Sequence, residues 1–308
     1  MTTDVDVSIR NAILIALFSN DKLADLLTLK GAQSLILQNV SDRTTQDLDF
    51  SISHQQNINL ITYKSEIKKS LDDELSELNF KIIRFKMQPT PHDKPKFIPN
   101  PLNTDYQIMY SGYTISFGII TFSEYDKQKI HSENKGKIFN PDTLDALKVE
   151  IDISEGEFTE PRTETNLEGL KIYLYTPLMT LYEKARASVQ QLSSYNINPN
   201  NQKIRSRDIY DIYNLMTQSK STLANQIYQP KNIKIMKNIF FVKGVDVNNL
   251  SKISSIYDVL ENDFITNVMP QLDIKVRNNL NFKAMFNYVN DIFEKLKNKT
   301  NILDEDTI

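Results

Sequence analysis

Arg43-Thr44-Thr45-Gln46-Asp47-Leu48-Asp49-Phe50-Ser51-Ile52 is the stretch on which the reading of this chain turns. If 47–52 is a strand, alternation sends Asp47, Asp49 and Ser51 to one face and Leu48, Phe50 and Ile52 to the other. The apolar face belongs to a core. The acidic face is costly, because like charges at i and i+2 repel and burial sharpens the penalty. A hard divalent ion such as Mg²⁺ (or Mn²⁺), which prefers oxygen ligands, removes that repulsion. A strand face with solvated acids is the plain alternative, and the triplet alone does not separate the two.

The residues just upstream add weight to the metal reading. Thr28 to Leu37 (TLKGAQSLIL) reads as a short strand, a tight turn at Gly31 and a helix. Only seven glycines occur in the chain, so one at a strand-to-helix junction is informative. Such a turn exposes free backbone N–H groups, a ready phosphate site at a helix start. A phosphate-binding turn followed by paired aspartates is what metal-dependent nucleotidyl transfer requires.

Composition bounds the remaining classes. A chain of 308 residues, 40% hydrophobic and 24% charged, is long enough for one large domain or two modest ones with real cores. The net charge of −3 gives no global signal for nucleic acid, although a local basic patch is compatible with it. Without cysteine there is neither a disulfide nor a thiolate metal site. The opening Met-Thr-Thr-Asp-Val-Asp lacks a basic n-region, and the apolar run from Ala12 to Phe18 is too short to span a bilayer. The expectation is a cytoplasmic protein with no membrane association.

Further along, 7–19 reads as an apolar-rich helix and 60–78 as a surface helix with a leucine/isoleucine stripe. Phe80 to Met87 alternates like a strand, and the proline-rich 89–103 reads as a loop. Tyr106 to Phe122 reads as one or two strands. In Leu147-Lys148-Val149-Glu150-Ile151-Asp152-Ile153, strand alternation puts Lys148, Glu150 and Asp152 on one face. Pro177 opens a helix carrying Glu183 and Lys184. Ile204 to Leu215 reads as another helix, on which Arg207 and Asp211 are i,i+4 neighbours and Asp208 and Asp211 are i,i+3 neighbours. Val247–Asn262 and Phe282–Asn298 read as helices, with lysines clustered after Pro230 as candidate contacts for RNA.

Lys30-Gly31-Ala32-Gln33-Ser34-Leu35 followed by Asp47-Leu48-Asp49-Phe50 resembles the opening of the AbiEii/AbiGii toxin-family nucleotidyltransferases, of which MenT-type toxins are relatives. Lys148 to Ile151 is similar to that family's Lys-Ile-Glu-Ile pattern, and Glu183-Lys184-Ala185 to its third motif. Arg205 to Asp211 is similar to its fourth, Arg-x-Lys/Arg-Asp-hydrophobic-Tyr-Asp. The resemblance covers roughly 25–215. It implies an α+β fold, a mixed twisted sheet with flanking helices over 1–175, then a helical subdomain over 176–308 that completes the cleft.

The resemblance also implies a chemistry. Mg²⁺ would sit on Asp47 and Asp49, with a third carboxylate from Glu150 or Asp152, a choice that stays open. The phosphates of a nucleoside triphosphate, GTP being one candidate, would lie near Lys30, Gly31, Ala32, Gln33, Ser34, Lys184 and Arg207. Asp208 would position Lys184 or the nucleotide, and Asp211 would brace its helix. An acceptor hydroxyl, on RNA such as tRNA or on protein, would attack the α-phosphate. The setting would be a toxin–antitoxin or phage-defence system with a cognate antitoxin. Ala32 stands where the family has a second glycine, and Gln33 where it has Ser or Thr. The alternative is therefore a nucleotide-binding protein of the same fold that has lost turnover and acts through a partner.

Overall fold

Sequence alternation becomes a two-faced sheet. The structure, a computed structural model, describes residues 3–40, 47–91, 97–195, 197, 203–218 and 222–305. Arg43 to Gln46 therefore lie outside the described residues. The chain forms two units, Met1–Phe97 with Met109–Tyr175, and Ile98–Ile108 with Thr176–Ile308.

The first unit starts with α1 (Thr3–Phe18), α2 (Asp21–Leu26), β1 (Leu27–Lys30) and α3 (Gly31–Leu37). Asn20 caps α2 by accepting from the backbone N–H groups of Lys22 and Leu23. Next come β2 (Leu48–Ser53), α4 (Lys64–Glu77) and β3 (Phe80–Thr90). After β3 come β4 (Phe97–Asn100), inside the stretch expected as a loop, and β5 (Asn103–Met109), overlapping the start of the strand expected from Tyr106; the two pair in a ribbon whose residues 98–108 belong to the second unit. The unit continues with β6 (Gly112–Thr121), α5 (Phe122–Asn134), β7 (Leu147–Glu157), β8 (Thr163–Leu167) and β9 (Leu170–Leu174).

Seven strands form one mixed sheet in the order β3-β6-β7-β2-β1-β9-β8. β2 runs antiparallel to β1 and parallel to β7, and β6 runs antiparallel to β7. One face is apolar: Leu29, Phe50, Ile52, Ile115, Ile151 and Leu174 are buried against Ile13, Leu14 and Leu17 of α1. Ile67, Leu71 and Leu75 of α4, spaced i, i+4, i+8, are buried in the same core. Each such side chain contributes about 1.5–3 kcal/mol when fully withdrawn from water. The opposite face carries the alternate residues Thr28, Lys30, Asp49, Ser51, Asp152 and Ser154.

Two elements had no sequence signal. α5 buries none of its residues, so it lacks the apolar stripe by which a helix is read. β8 is a polar five-residue strand at the sheet edge.

The second unit is helical, with α6 (Pro177–Gln190), α7 (Ser206–Thr217), α8 (Leu223–Gln226), α9 (Pro230–Phe241), α10 (Tyr257–Asp263), α11 (Ile274–Asn279) and α12 (Phe282–Glu305). Thr176 caps α6 by accepting from the Met179 N–H, with Pro177 at the first helical position. The single helix expected from Val247 is instead a 3₁₀ run over Val247–Ile256 followed by α10. Ser251, Ser254 and Ser255 each donate a hydroxyl hydrogen bond to the carbonyl three residues back, a local alternative to the α-helical ladder. Among the described residues no helix is long and apolar enough to cross a membrane.

Candidate active site

The chemistry of the first unit begins where β1 ends. Lys30 is extended, Gly31 takes a φ of +70°, and α3 starts there. A Cβ built on Gly31 would stand 3.1 Å from Asp49 Oδ2. Glycine is thus demanded by the left-handed backbone, and a side chain there would also crowd the Asp49 carboxylate. Register explains the proximity, since Lys30 pairs with Asp49 across the β1–β2 ladder. Asp49 is paired in turn with Asp152 on the parallel strand β7, and Asp152 with Thr114 on β6. Lys30, Asp49, Asp152 and Thr114 therefore form one transverse row on the polar face.

Within that row Thr114 Oγ1 donates to Asp152 Oδ1 at 2.9 Å. Lys30 Nζ lies 3.1 Å from Ser154 Oγ and 3.9 Å from Glu157 Oε1, with its side chain only 12% exposed. Asp47 is exposed and immediately precedes β2. Glu150 is also exposed, and Lys148 Nζ donates to it at 2.5 Å. Of the two candidate third carboxylates, Asp152 is thus level with Asp49, and Glu150 sits two residues earlier beside a cation.

In the turn, Ser34 is fully buried and donates its hydroxyl to the Gly31 carbonyl at 2.8 Å. Gln33 is buried as well, and its Oε1 accepts nothing among the described residues. Ala32 is half-buried. Contact with a phosphate here would fall to backbone N–H groups rather than to these side chains.

Among the described residues no group of three or more His, Asp and Glu side chains is assembled to cage a metal. What register provides is a pair, Asp49 and Asp152, on adjacent strands about 4.8 Å apart. That donor set fits Mg²⁺, which is held through one or two carboxylates and completed by substrate phosphates and water.

The second unit holds its own charged cluster. Lys184 on α6 lies 3.0 Å from Asp208 Oδ1 and 2.8 Å from Asp211 Oδ2, all three side chains being about nine-tenths buried. Arg205 Nη1 approaches Asp208 Oδ2 at 3.7 Å, so two cations face two carboxylates. Burial on its own would lower the Lys184 pKa, but Asp208 and Asp211 override it and hold the ammonium above the ordinary lysine value. Arg207 donates to Gln271. The sequence reading joined Lys184 to Asp208 and gave Asp211 a bracing role on its own helix; Asp211 also grips Lys184. Its i,i+3 spacing from Asp208 was the available signal. Thr114 went unremarked, because only strand register brings it to Asp152.

Comparison with known proteins gives a family. The sequence model of the family described as nucleotidyl transferase AbiEii toxin, type IV toxin–antitoxin system, matches residues 12–231. No curated protein matches. Among solved structures, a candidate nucleotidyltransferase from H. pylori is similar at 14% identity and a TM-score of 0.49, covering 98% of this chain and 99% of its own. JHP933 from Helicobacter pylori is 15% identical with a TM-score of 0.46, over 100% of this chain and 97% of that one. An antigenic nucleotidyltransferase-like protein from Paracoccidioides brasiliensis is 15% identical with a TM-score of 0.33, over 77% and 94%. Since the match spans residues 12–231, well over half of the chain, the chain belongs to the AbiEii nucleotidyl transferase toxins of type IV toxin–antitoxin systems.

Proposed function

We propose that this protein transfers a nucleoside monophosphate from a nucleoside triphosphate to a hydroxyl on RNA, tRNA being the leading acceptor, in a Mg²⁺- or Mn²⁺-dependent reaction. The new bond joins the acceptor oxygen to the α-phosphorus, and the α–β phosphoanhydride breaks to release pyrophosphate. A bound divalent ion would supply charge neutralisation at the phosphates. The observation that carries the reading is the register row, with Gly31 against Asp49 and Asp49 level with Asp152. Asp49 and Asp152 are the carboxylates that hold the ion, and Asp47, one residue before β2, adds negative charge at its mouth. Gly31 keeps side-chain bulk away from Asp49, and the backbone of Gly31 to Ser34 offers N–H groups to the phosphates. Lys184, Asp208 and Arg207 enter the proposal by family resemblance alone. The biological setting we propose is a cytoplasmic toxin of a phage-defence system, held in check by a cognate antitoxin.

One observation favours a second reading. Ser34 spends its hydroxyl on the Gly31 carbonyl and Gln33 replaces a hydroxyl residue, so the turn offers phosphate no free hydroxyl. A nucleotide-binding protein without turnover, acting through a partner, would need no more. Incubation with each α-labelled nucleoside triphosphate, Mg²⁺ and total tRNA, beside Asp49→Ala, separates the two. Label entering RNA, and falling to the protein-free level in the variant, is the expected result. Label on the protein itself would move the acceptor from RNA to protein. Triphosphate binding without pyrophosphate release would select the second reading.

A further inference from the structure

Asp152 is exposed on the polar face, where an aspartate ordinarily samples several rotamers. Here one of its oxygens is fixed by the Thr114 hydroxyl at 2.9 Å. Threonine is stiff at χ1, so its hydroxyl is aimed by the backbone of β6 rather than by chance. A hydroxyl has a single proton, and the carboxylate takes that of Thr114. In the 3.1 Å contact between Thr90 Oγ1 and Thr114 Oγ1, Thr90 must then be the donor. The result is a directed chain from Thr90 on β3 through Thr114 on β6 to Asp152 on β7. Glu150 has a different arrangement. Its register partner is Ser116, and it accepts a hydrogen bond from the Lys148 ammonium, which offsets its charge. The Lys148 ammonium acts on Asp152 only at a distance, without a hydrogen bond, so it is the neutral Thr114 donor that orients Asp152.

We propose that Thr114 is the positioning residue for Asp152, presenting that carboxylate beside Asp49 for a divalent ion, with Thr90 steering Thr114. The inference rests on the reading of Asp49 and Asp152 as the metal-holding pair. Partners that orient metal ligands are worth roughly ten- to a hundredfold in metal affinity.

The test uses the full-length chain and Mn²⁺ alone, with free Mn²⁺ followed by electron paramagnetic resonance and the melting temperature of every variant recorded. Thr114→Val is expected to weaken Mn²⁺ binding about tenfold, and Thr114→Ser to restore it to within about twofold of the unaltered chain. Asp49→Asn and Asp152→Asn should each abolish it. Unaltered binding in Thr114→Val, with both aspartate variants impaired, would overturn the role of Thr114 and leave the carboxylate pair standing. Thr114→Ser as weak as Thr114→Val would also overturn it, since the hydroxyl would then not be the operative group. Unaltered binding in Asp49→Asn and Asp152→Asn would sink the carboxylate reading, and the role of Thr114 with it.

Discussion

Gly31 is required by its backbone and sits close against the Asp49 carboxylate. Alanine there must occupy a φ of +70°, at a cost of about 1–2 kcal/mol, and its methyl carbon would stand 3.1 Å from Asp49 Oδ2. Gly31→Ala is expected to lower stability by about that amount in urea denaturation and to cut nucleotidyl transfer through displacement of Asp49. Asp152→Asn should reduce transfer about tenfold more than Glu150→Gln, measured as kcat/KM for the triphosphate. Equal losses would show that level register with Asp49 is not what selects the third carboxylate. At this scale the sequence was legible where the cause is local. Alternation alone sorted Asp47, Asp49 and Ser51 from Leu48, Phe50 and Ile52. It could not choose between Glu150 and Asp152, which share a face and differ only in what lies on β2 and β6, strands distant in sequence.

Among elements, α6 and α7 are tied by Lys184 reaching Asp208 and Asp211 in a buried setting. Removing the shared cation leaves two buried carboxylates facing each other without that compensation, so Lys184→Met should cost about 3–5 kcal/mol of unfolding free energy. A loss below about 1 kcal/mol would mean the cluster behaves like a surface pair. The pH dependence follows from the direction of the Lys184 shift. Its pKa is raised on folding, so the stabilisation is fully present below the unfolded-state value near 10.4 and is lost only as pH rises through the still higher folded-state value. Urea midpoints compared between the unaltered chain and Lys184→Met should therefore differ by a constant amount from pH 7 to pH 10, and converge only above that. Elements with an apolar period, such as α4 with Ile67, Leu71 and Leu75, were readable in advance. α5, which buries nothing, and the serine-rich 3₁₀ run, where hydroxyls compete with the helical ladder, were not.

For the whole molecule, the segment Ile98–Ile108 groups with the second unit although it is enclosed in sequence by the first. Within that unit Asn100 is fully buried and donates to the Phe241 carbonyl at 2.8 Å. A fragment ending at Tyr175 would carry this segment without its partner. It is expected to self-associate in size-exclusion chromatography, and replacement of 98–108 by a short glycine–serine linker should reduce that tendency. No periodicity announced the exchange, because it depends on where a polar side chain finds its acceptor. The parallel pairing of β2 with β7 has a consequence for biosynthesis. Everything from β3 to β6 is translated between Asp49 and Asp152, and pairings of such long range form late. A nascent chain that stalls on the ribosome before β7 emerges has Asp49 without Asp152 beside it, so on the proposed reading the cell that makes this toxin meets its chemistry only when the sheet is finished.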